Sequence, residues 1–150
     1  MRIISGNARG TKLETLDGVD TRPTLDRVKE PLFSIIQGYI IDAEVLDLFS
    51  GSGALALESL SRGAKSAIAC DKSRKAAEII KRNIQKTHFD TSAELLVKDY
   101  KKALDELKNK KFDIIFLDPP YGTDFAVEAI KIIMENDMLK SERNYCFWDW

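Results

Sequence analysis

The stretch Phe112-Asp113-Ile114-Ile115-Phe116-Leu117-Asp118-Pro119-Pro120-Tyr121 joins an apolar run to an acid, two prolines and an aromatic residue. Its first six residues predict a buried strand, because a short apolar run bounded by turn residues is typical of a covered sheet. The Asp118 carboxylate and the Pro119 carbonyl can accept hydrogen bonds from an amino group, and the Tyr121 ring can stack on a base. We therefore predict a site for a planar exocyclic amine where this strand ends. The alternative is that the proline pair only stops the strand and turns the chain.

Upstream of this stretch, predicted strands alternate with predicted helices from about residue 43. The predicted strands are Val45–Phe49, Ser66–Cys70, Ala93–Val97 and Phe112–Leu117. The predicted helices are Ala54–Arg62, a helix capped by Ser73 that runs to about Lys86, Tyr100–Asn109 and Asp124–Glu135. Helices between successive strands act as the crossover connections of a parallel sheet and cover both of its faces. The sequence therefore predicts an α/β fold.

A glycine turn and three acids lie at the predicted carboxyl ends of these strands. Asp47-Leu48-Phe49-Ser50-Gly51-Ser52-Gly53 opens a helix, and its two glycines allow the backbone to approach a ligand closely. Asp71 ends the second strand, where an acid can bond ribose hydroxyls, although a plain surface acid is the alternative for this residue alone. Asp99 ends the third strand, within expected reach of an adenine amino group. These residues predict a nucleotide-binding crevice.

The chemistry of the ligand follows from what surrounds the glycines. The G-x-G-x-x-G of dinucleotide enzymes is absent, because Gly53 is followed by Ala-Leu-Ala. Asp47, just before the glycines, suits a cationic ligand without phosphates better than a pyrophosphate. S-adenosyl-L-methionine, which carries an amino group and a sulfonium, is therefore the predicted cofactor. The predicted cofactor-binding residues are Asp47, Phe49, Gly51, Gly53, Asp71, Lys72, Asp99 and Tyr100.

Length, composition and charge restrict the class of protein. The 150 residues are 44% hydrophobic and 31% charged with a net charge of −1, which is typical of one soluble globular domain. The sequence predicts neither a bilayer-spanning segment nor a signal peptide. Cys70 and Cys146 lie far apart and His88 is the only histidine, so we expect reduced thiols and no metal site. The expected compartment is the cytoplasm.

The first forty residues follow a different pattern. Arg2–Ser5 and Thr11–Leu16 flank a glycine-bearing loop, Gly6-Asn7-Ala8-Arg9-Gly10, which predicts a hairpin. A helical pattern begins at Thr24, and Pro31 is expected to kink that helix or divide it. This segment is too small for a core of its own, so we expect it to pack beside the sheet.

The charges at the start of this N-terminal segment are basic. The first twelve residues contain three cations and no acid, and further arginines follow. Such a surface fits contact with RNA phosphates, although a solvated face, with Arg27 paired to Glu30 or Asp26, is the alternative. The predicted RNA-binding residues are Arg2, Arg9, Lys12, Arg22 and Arg27.

Taken together, these residues resemble the class I S-adenosylmethionine-dependent methyltransferases, and more narrowly the bacterial RsmD-type family. The resemblance covers about residues 1–140. It is carried by Met1–Gly6, Thr21–Glu30, Asp47–Gly53, Leu57-Glu58, Ser61–Ala64 and Phe112–Tyr121. It implies a Rossmann-like fold with an N-terminal hairpin and helix. We expect one domain over 1–150, with an RNA-contacting extension at 1–40 and a cofactor-binding core at 41–150.

The family resemblance also implies an activity and a mechanism. The expected reaction is methylation of the exocyclic N2 of a guanine in ribosomal RNA, within the small subunit or an assembly intermediate. Asp118, Pro119, Pro120 and Tyr121 match the family's catalytic motif, in which the acid and the Pro119 carbonyl accept the hydrogens of the amine. An adenine-N6 or other amino methyltransferase acting on DNA or RNA is the enzymatic alternative. A truncated RNA-binding remnant without catalysis is the other.

Two features depart from the family pattern. Pro31 stands where the family has a helix-compatible residue. The ending Asn144–Trp150 does not match the glycine turn that leads into the family's fifth strand, a helix and an antiparallel pair. We therefore expect the C-terminal strands to be missing or altered, which would leave an apolar sheet edge exposed.

Overall fold

The computed structural model describes residues 1–16 and 24–140, with only the backbone described for 24–27. Arg22, the Arg27 side chain and the ending Asn144–Trp150 therefore lie outside the described residues. The strands are β1 (Glu44–Asp47), β2 (Ser66–Asp71), β3 (Ala93–Val97) and β4 (Ile114–Phe116). The helices are α1 (Thr24–Ile36), a 3₁₀ turn (Gln37–Tyr39), α2 (Ala54–Ser61), α3 (Arg74–Thr87), α4 (Tyr100–Leu107) and α5 (Phe125–Glu135).

The four strands form one parallel sheet in the order β3-β2-β1-β4. The chain forms β2 and then β3 on one side of β1, and β4 then pairs with β1 on its other side. Asp47 is in register with Ala69 of β2 and with Phe116 of β4. The carboxyl ends of these strands are therefore level, on either side of the point where the strand order reverses. The predicted α/β fold with a helix-covered parallel sheet is confirmed.

Alternate residues of the strands face two separate cores. Val45, Ala67 and Phe116 pack with α1, α2 and α3 on one face, while Leu46 and Ile68 pack with α4 and α5 on the other. Strands buried on both sides read as continuous apolar runs, which is why the sequence predicted them. Within the described ranges, none of the helices is long and apolar enough to span a bilayer.

The last predicted strand is shorter than expected. Phe112 was predicted inside it, but β4 begins at Ile114. The Phe112 N–H donates to the Met138 carbonyl at 2.8 Å, and the Phe112 carbonyl accepts from the Lys140 N–H at 2.9 Å. Phe112 thus pairs in parallel with Leu139 and not with β1. The apolar run could not reveal this change of partner, because Phe112 is buried in either arrangement.

The N-terminal segment forms the expected hairpin and packs on the core. The Ile3 N–H donates to the Thr11 carbonyl and the Gly10 N–H to the Ile3 carbonyl, each at 2.9 Å. Ile3 and Leu13 are buried in the same apolar cluster as β1. Gly6 is required where the loop sits on α2, because a Cβ there would lie 1.8 Å from the Ser61 carbonyl oxygen at a φ of +90°.

Helix α1 runs unbroken from Thr24 to Ile36 through Pro31, so of the kink or division expected there the division is wrong. Proline lacks one N–H and weakens the helix locally. The turns beyond it nevertheless stay helical, because Leu32, Phe33 and Ile36 are buried in the core cluster. Packing of the apolar face therefore outweighs the local preference.

Candidate active site

A crevice of about 300 Å³ lies at the carboxyl ends of the strands. It collects residues from the glycine loop, the ends of three strands, the start of α5 and the N-terminal segment. Its lining is Met1, Thr15, Leu16, Leu48, Phe49, Ser50, Gly51, Ser52, Asp71, Lys72, Lys98, Asp99, Tyr100, Asp118, Pro120 and Phe125. In an open α/β sheet, ligands bind in a crevice of this kind, where the strand order reverses.

Most of the predicted site residues line this crevice. From the cofactor set they are Phe49, Gly51, Asp71, Lys72, Asp99 and Tyr100, and from the catalytic set Asp118 and Pro120. Four others lie outside the lining. Asp47 and Pro119 are buried, Gly53 caps α2, and Tyr121 is 85% exposed. Tyr121 is thus free to contact a large partner that approaches from solvent.

Asp71 holds the glycine loop in place. Its Oδ2 accepts a hydrogen bond from the Gly51 N–H at 2.9 Å, and its Oδ1 accepts one from the Ser73 N–H at 2.9 Å. Gly51 and Gly53 adopt left-handed φ angles of 62° and 83°, which glycine tolerates best. A carboxylate offers about four lone-pair positions, so Asp71 keeps acceptor capacity toward the crevice.

Asp47 lies behind the loop as a buried carboxyl group. Only 1% of it is exposed, its Oδ2 accepts from the Ser50 hydroxyl at 2.8 Å, and its Oδ1 has no hydrogen-bond partner among the described residues. Burial raises the pKa of Asp47 to about 7, and the nearby carboxylates of Asp118 and Asp71 add to this rise. A buried acceptor without a partner in a native fold calls for a ligand or a proton.

One wall of the crevice is aromatic. The ring centroid of Phe49 lies 5.3 Å from that of Tyr100 and 6.3 Å from that of Phe125, with the two phenylalanine rings nearly parallel at 7°. The Tyr100 hydroxyl donates to the Glu128 carboxylate. Burial and this carboxylate raise the pKa of Tyr100 well above its usual range. The ring is therefore neutral and fixed, as a flat surface for a base requires.

Asp99 follows β3 by two residues and caps α4, because its side chain accepts a hydrogen bond from the Lys101 N–H. Asp118 is half-buried and follows β4 through the buried Leu117. The two acids approach the crevice from strands on opposite sides of β1. The sheet therefore brings together acids that are 19 positions apart in sequence.

Sequence reasoning missed several lining residues. Thr15 and Leu16 were assigned only to the hairpin, and Phe125 only to the predicted helix Asp124–Glu135. No local pattern separates such residues from ordinary core positions, because their role depends on which segments the fold brings together. The other lining residues missed were Met1, Leu48, Ser50, Ser52 and Lys98.

The cations of the hairpin lie away from the crevice lining. Arg2, Arg9 and Lys12 are exposed. Among the described residues, no cluster of histidine, cysteine and acidic side chains could hold a metal ion. Cys70 is buried in the sheet, and burial raises the pKa of its thiol to about 12.

Comparisons with known proteins agree with this architecture. The family model described as Conserved hypothetical protein 95 matches residues 1–147. The chain is 40% identical over 144 residues to the ribosomal RNA small subunit methyltransferase D of Haemophilus influenzae, covering 93% of this chain and 74% of that protein. It is 35% identical over 142 residues to the Escherichia coli protein of the same name, covering 95% and 71%.

The fold is shared with solved structures. The structure of yhhF from Escherichia coli matches with a TM-score of 0.81 at 38% identity, covering 91% of this chain and 73% of that one. The sheet order and the crevice define a Rossmann-like fold of the S-adenosylmethionine-dependent methyltransferase class. Within that class, the chain belongs to the Conserved hypothetical protein 95 family, the RsmD-type family of ribosomal RNA methyltransferases.

Proposed function

We propose that this protein uses S-adenosylmethionine to methylate the exocyclic N2 of a guanine in small-subunit ribosomal RNA. One observation carries the proposal: Asp118 and Pro120 of the amine-holding motif line the same crevice as Asp71 and Asp99. A group that accepts the hydrogens of an amine therefore lies beside groups suited to a nucleoside. Relatives named small-subunit ribosomal RNA methyltransferase D support the class of substrate.

The residues of the crevice fit S-adenosylmethionine. The aromatic wall of Phe49, Tyr100 and Phe125 offers a surface for adenine. Asp71 keeps acceptor capacity for ribose hydroxyls, and Asp99 lies at the next strand end. Asp47 lies behind the loop, and its Oδ1 has no hydrogen-bond partner among the described residues. An acid in this position favours a cationic ligand. When bound, the cofactor supplies an electrophilic methyl group on its sulfonium.

The residues of the chain act by positioning. A guanine amino group is a weak nucleophile, because its lone pair is delocalised into the ring. Asp118 and the Pro119 carbonyl accept its two hydrogens and aim the nitrogen lone pair at the methyl, while Tyr121 stacks on the extruded base. Alignment of two reactants contributes roughly 7–11 kcal/mol to lowering a barrier. Base extrusion costs only a few kcal/mol, so positioning is sufficient and no strong base is needed.

The hairpin supports an RNA substrate. Arg2, Arg9 and Lys12 are exposed on the segment whose continuation, Thr15 and Leu16, borders the crevice. RNA bound by these cations would extend toward the crevice along the segment that ends in Thr15 and Leu16. Arg22 and Arg27, predicted from the sequence as RNA contacts, stay part of the proposal. The proposed substrate is the small subunit or its assembly intermediate, in the cytoplasm where bacterial ribosomes assemble.

Methylation of defined nucleic acids tests the proposal. The protein is incubated with S-adenosylmethionine and with undermethylated small-subunit particles, their naked RNA, or duplex DNA, and the nucleosides are identified by mass spectrometry. N2-methylguanosine in the particles or RNA is the expected product. N6-methyladenosine, or S-adenosylmethionine binding without any transfer, would contradict it.

The variant Asp118→Ala tests the role of this acid in methyl transfer. We expect kcat to fall about 100- to 1,000-fold, as for loss of one group that acts in the transition state, with cofactor affinity within about twofold of the parent. Asp105→Ala is the matched control, because this acid is exposed on α4 outside the crevice. Near-parental turnover of Asp118→Ala would remove Asp118 from the mechanism.

A further inference from the structure

Asn83 is a fully buried amide in the C-terminal half of α3. Its Oδ1 accepts a hydrogen bond from the Glu14 N–H at 2.8 Å, and its Nδ2 donates to the Glu14 carbonyl at 2.9 Å. The same Nδ2 donates to the Ser52 carbonyl at 2.8 Å. Both N–H donors and the acceptor of the amide are therefore used, all on backbone groups.

The two backbones that meet at Asn83 are both walls of the crevice. Ser52 lies in the glycine loop and lines the crevice. Glu14 directly precedes Thr15 and Leu16, which line it from the N-terminal segment. Asn83 itself is absent from the lining. It thus lies outside the crevice and forms a hydrogen-bonded bridge between the glycine loop and the N-terminal segment.

Asn83 bonds to the Glu14 backbone as a neighbouring strand would. The amide offers Glu14 both a donor and an acceptor, which is the pattern that a neighbouring strand would present. The Glu14 side chain is also paired, with the Arg82 Nε at 2.8 Å, but both of those side chains are about half-exposed. An exposed ion pair contributes little to stability, so the buried amide stabilises the position of the Glu14 backbone more than the Arg82 pair does.

Another buried polar residue of α3 provides the contrast. The Thr87 hydroxyl lies one turn further along, is 5% exposed, and donates to the carbonyls of Asn83 and Ile84 within its own helix. Thr87 touches neither the loop nor the N-terminal segment through these bonds. A buried polar side chain on α3 can therefore be satisfied without any link to the crevice, and Asn83 is not satisfied in that way.

We propose that Asn83 is a positioning residue for the cofactor site, which fixes the 14–16 wall against the glycine loop so that the crevice is preformed. The inference rests on the proposed function, since it takes S-adenosylmethionine as the ligand. Loss of the bridge lets the two walls separate, and binding must then order them again. Affinity falls for that reason, while the reacting groups, Asp118 among them, keep their places once the cofactor is bound.

Calorimetric titration with S-adenosylmethionine, together with methyl-transfer kinetics, tests this role on the full chain. For Asn83→Ala we expect cofactor Kd and KM to rise at least tenfold, with kcat at saturating cofactor within about threefold of the parent. Asn83→Ser retains a shorter donor, so its Kd and KM should lie between those of the parent and those of Asn83→Ala. Thr87→Ala is the matched control and should leave Kd within twofold.

The outcomes separate the two proposals. A parent that binds and transfers methyl while folded Asn83→Ala and Asn83→Ser bind within twofold overturns the positioning role and leaves the proposed function intact. Equal weakening in Thr87→Ala overturns it as well, because general loosening of α3 would then explain the effect. If Asn83→Ala does not fold, Asn83→Ser decides by the same threshold. A parent that binds no S-adenosylmethionine refutes the proposed function, and this inference with it.

Discussion

Two buried carboxyl groups, Glu58 in α2 and Asp47 at the end of β1, are 0% and 1% exposed but differ in their partners. Glu58 accepts from the N–H groups of Ile4 and Ser5 at 3.0 and 3.1 Å. It also pairs with Lys29 at 3.1 Å and with Arg62 at 2.9 Å. The Asp47 side chain accepts from the Ser50 hydroxyl, and its Oδ1 has no hydrogen-bond partner among the described residues.

The pKa values of the two groups move in opposite directions. Burial acts to raise the pKa of Glu58, but the Ile4 N–H and the Arg62 and Lys29 side chains outweigh it and hold this pKa below its ordinary value. Burial prevails for Asp47 and raises its pKa to about 7. The partners therefore decide whether a buried acid is ionised. The fully paired acid attaches the hairpin, and the incompletely paired acid lies beside the ligand crevice.

Glu58→Gln should have the largest effect on folding. It leaves the Lys29 ammonium buried without its counter-charge, and breaking a buried pair in this way typically costs about 3–5 kcal/mol. The free energy of unfolding from urea titration measures the loss. Glu106→Gln is the control, because its pair with Lys98 is exposed and should contribute about 1 kcal/mol or less. Equal losses in the two variants would remove the distinction between paired core and solvated surface.

Asp47→Asn should remove the contribution of this carboxyl group to the pH dependence of the free energy of unfolding. The folded pKa of Asp47 lies above its ordinary value of 3.8, so its ionisation destabilises the fold as pH rises from about 4 to above 7. Removing the charge should stabilise the protein at pH 8 by roughly 2–4 kcal/mol and hardly at all near pH 4. Urea titrations at both pH values measure this difference.

The Glu58 carboxyl group should behave in the opposite way. Its folded pKa is lowered, so its stabilisation is present above its ordinary value of 4.5 and is lost as pH falls through the folded pKa. The difference in stability between the parent and Glu58→Gln should therefore shrink in acid. Parallel pH profiles for Asp47→Asn and Glu58→Gln would show that partners do not separate the two carboxyl groups.

Asp71→Ala tests a third arrangement, a carboxylate that holds its own loop and still faces the crevice. We expect S-adenosylmethionine affinity to fall by about 1.5–3 kcal/mol, the contribution of a hydrogen bond to a charged group, while the protein remains folded. Titration calorimetry measures the change, and Asp90→Ala, an exposed acid after α3, is the control. Unchanged affinity would assign Asp71 to the loop alone.

Arg9→Ala should have the smallest effect on folding, because exposed charges contribute little to stability. Its expected effect is on RNA: loss of one phosphate contact should reduce the slope of log affinity against log salt by nearly one. Filter binding across a salt series measures the slope, and Lys110→Ala, an exposed lysine near the amino ends of the strands, is the control. Equal slopes in parent and Arg9→Ala would move the RNA surface elsewhere.

The strands and the glycine turn could be predicted because their signals are local. Apolar runs, the Ser73 cap and the glycines before α2 each reflect the conformation of a few adjacent residues. A local signal gave a wrong prediction at Pro31, because burial of Phe33 and Ile36 stabilises the helix despite the proline. Local preferences are small compared with the free energy of packing an apolar face.

The sequence by itself determined the parallel sheet, the crevice at its carboxyl edge and the acids that face it, since chain order and period place strand ends together. Only the tertiary structure decided that Lys29 is buried against Glu58 and that Asn83 joins Glu14 to Ser52. These contacts link residues that are 29 to 69 positions apart in sequence, and no periodicity of the sequence predicts them. Burial and partners, which set the pKa of Asp47 and the shape of the crevice, exist only once those segments are packed.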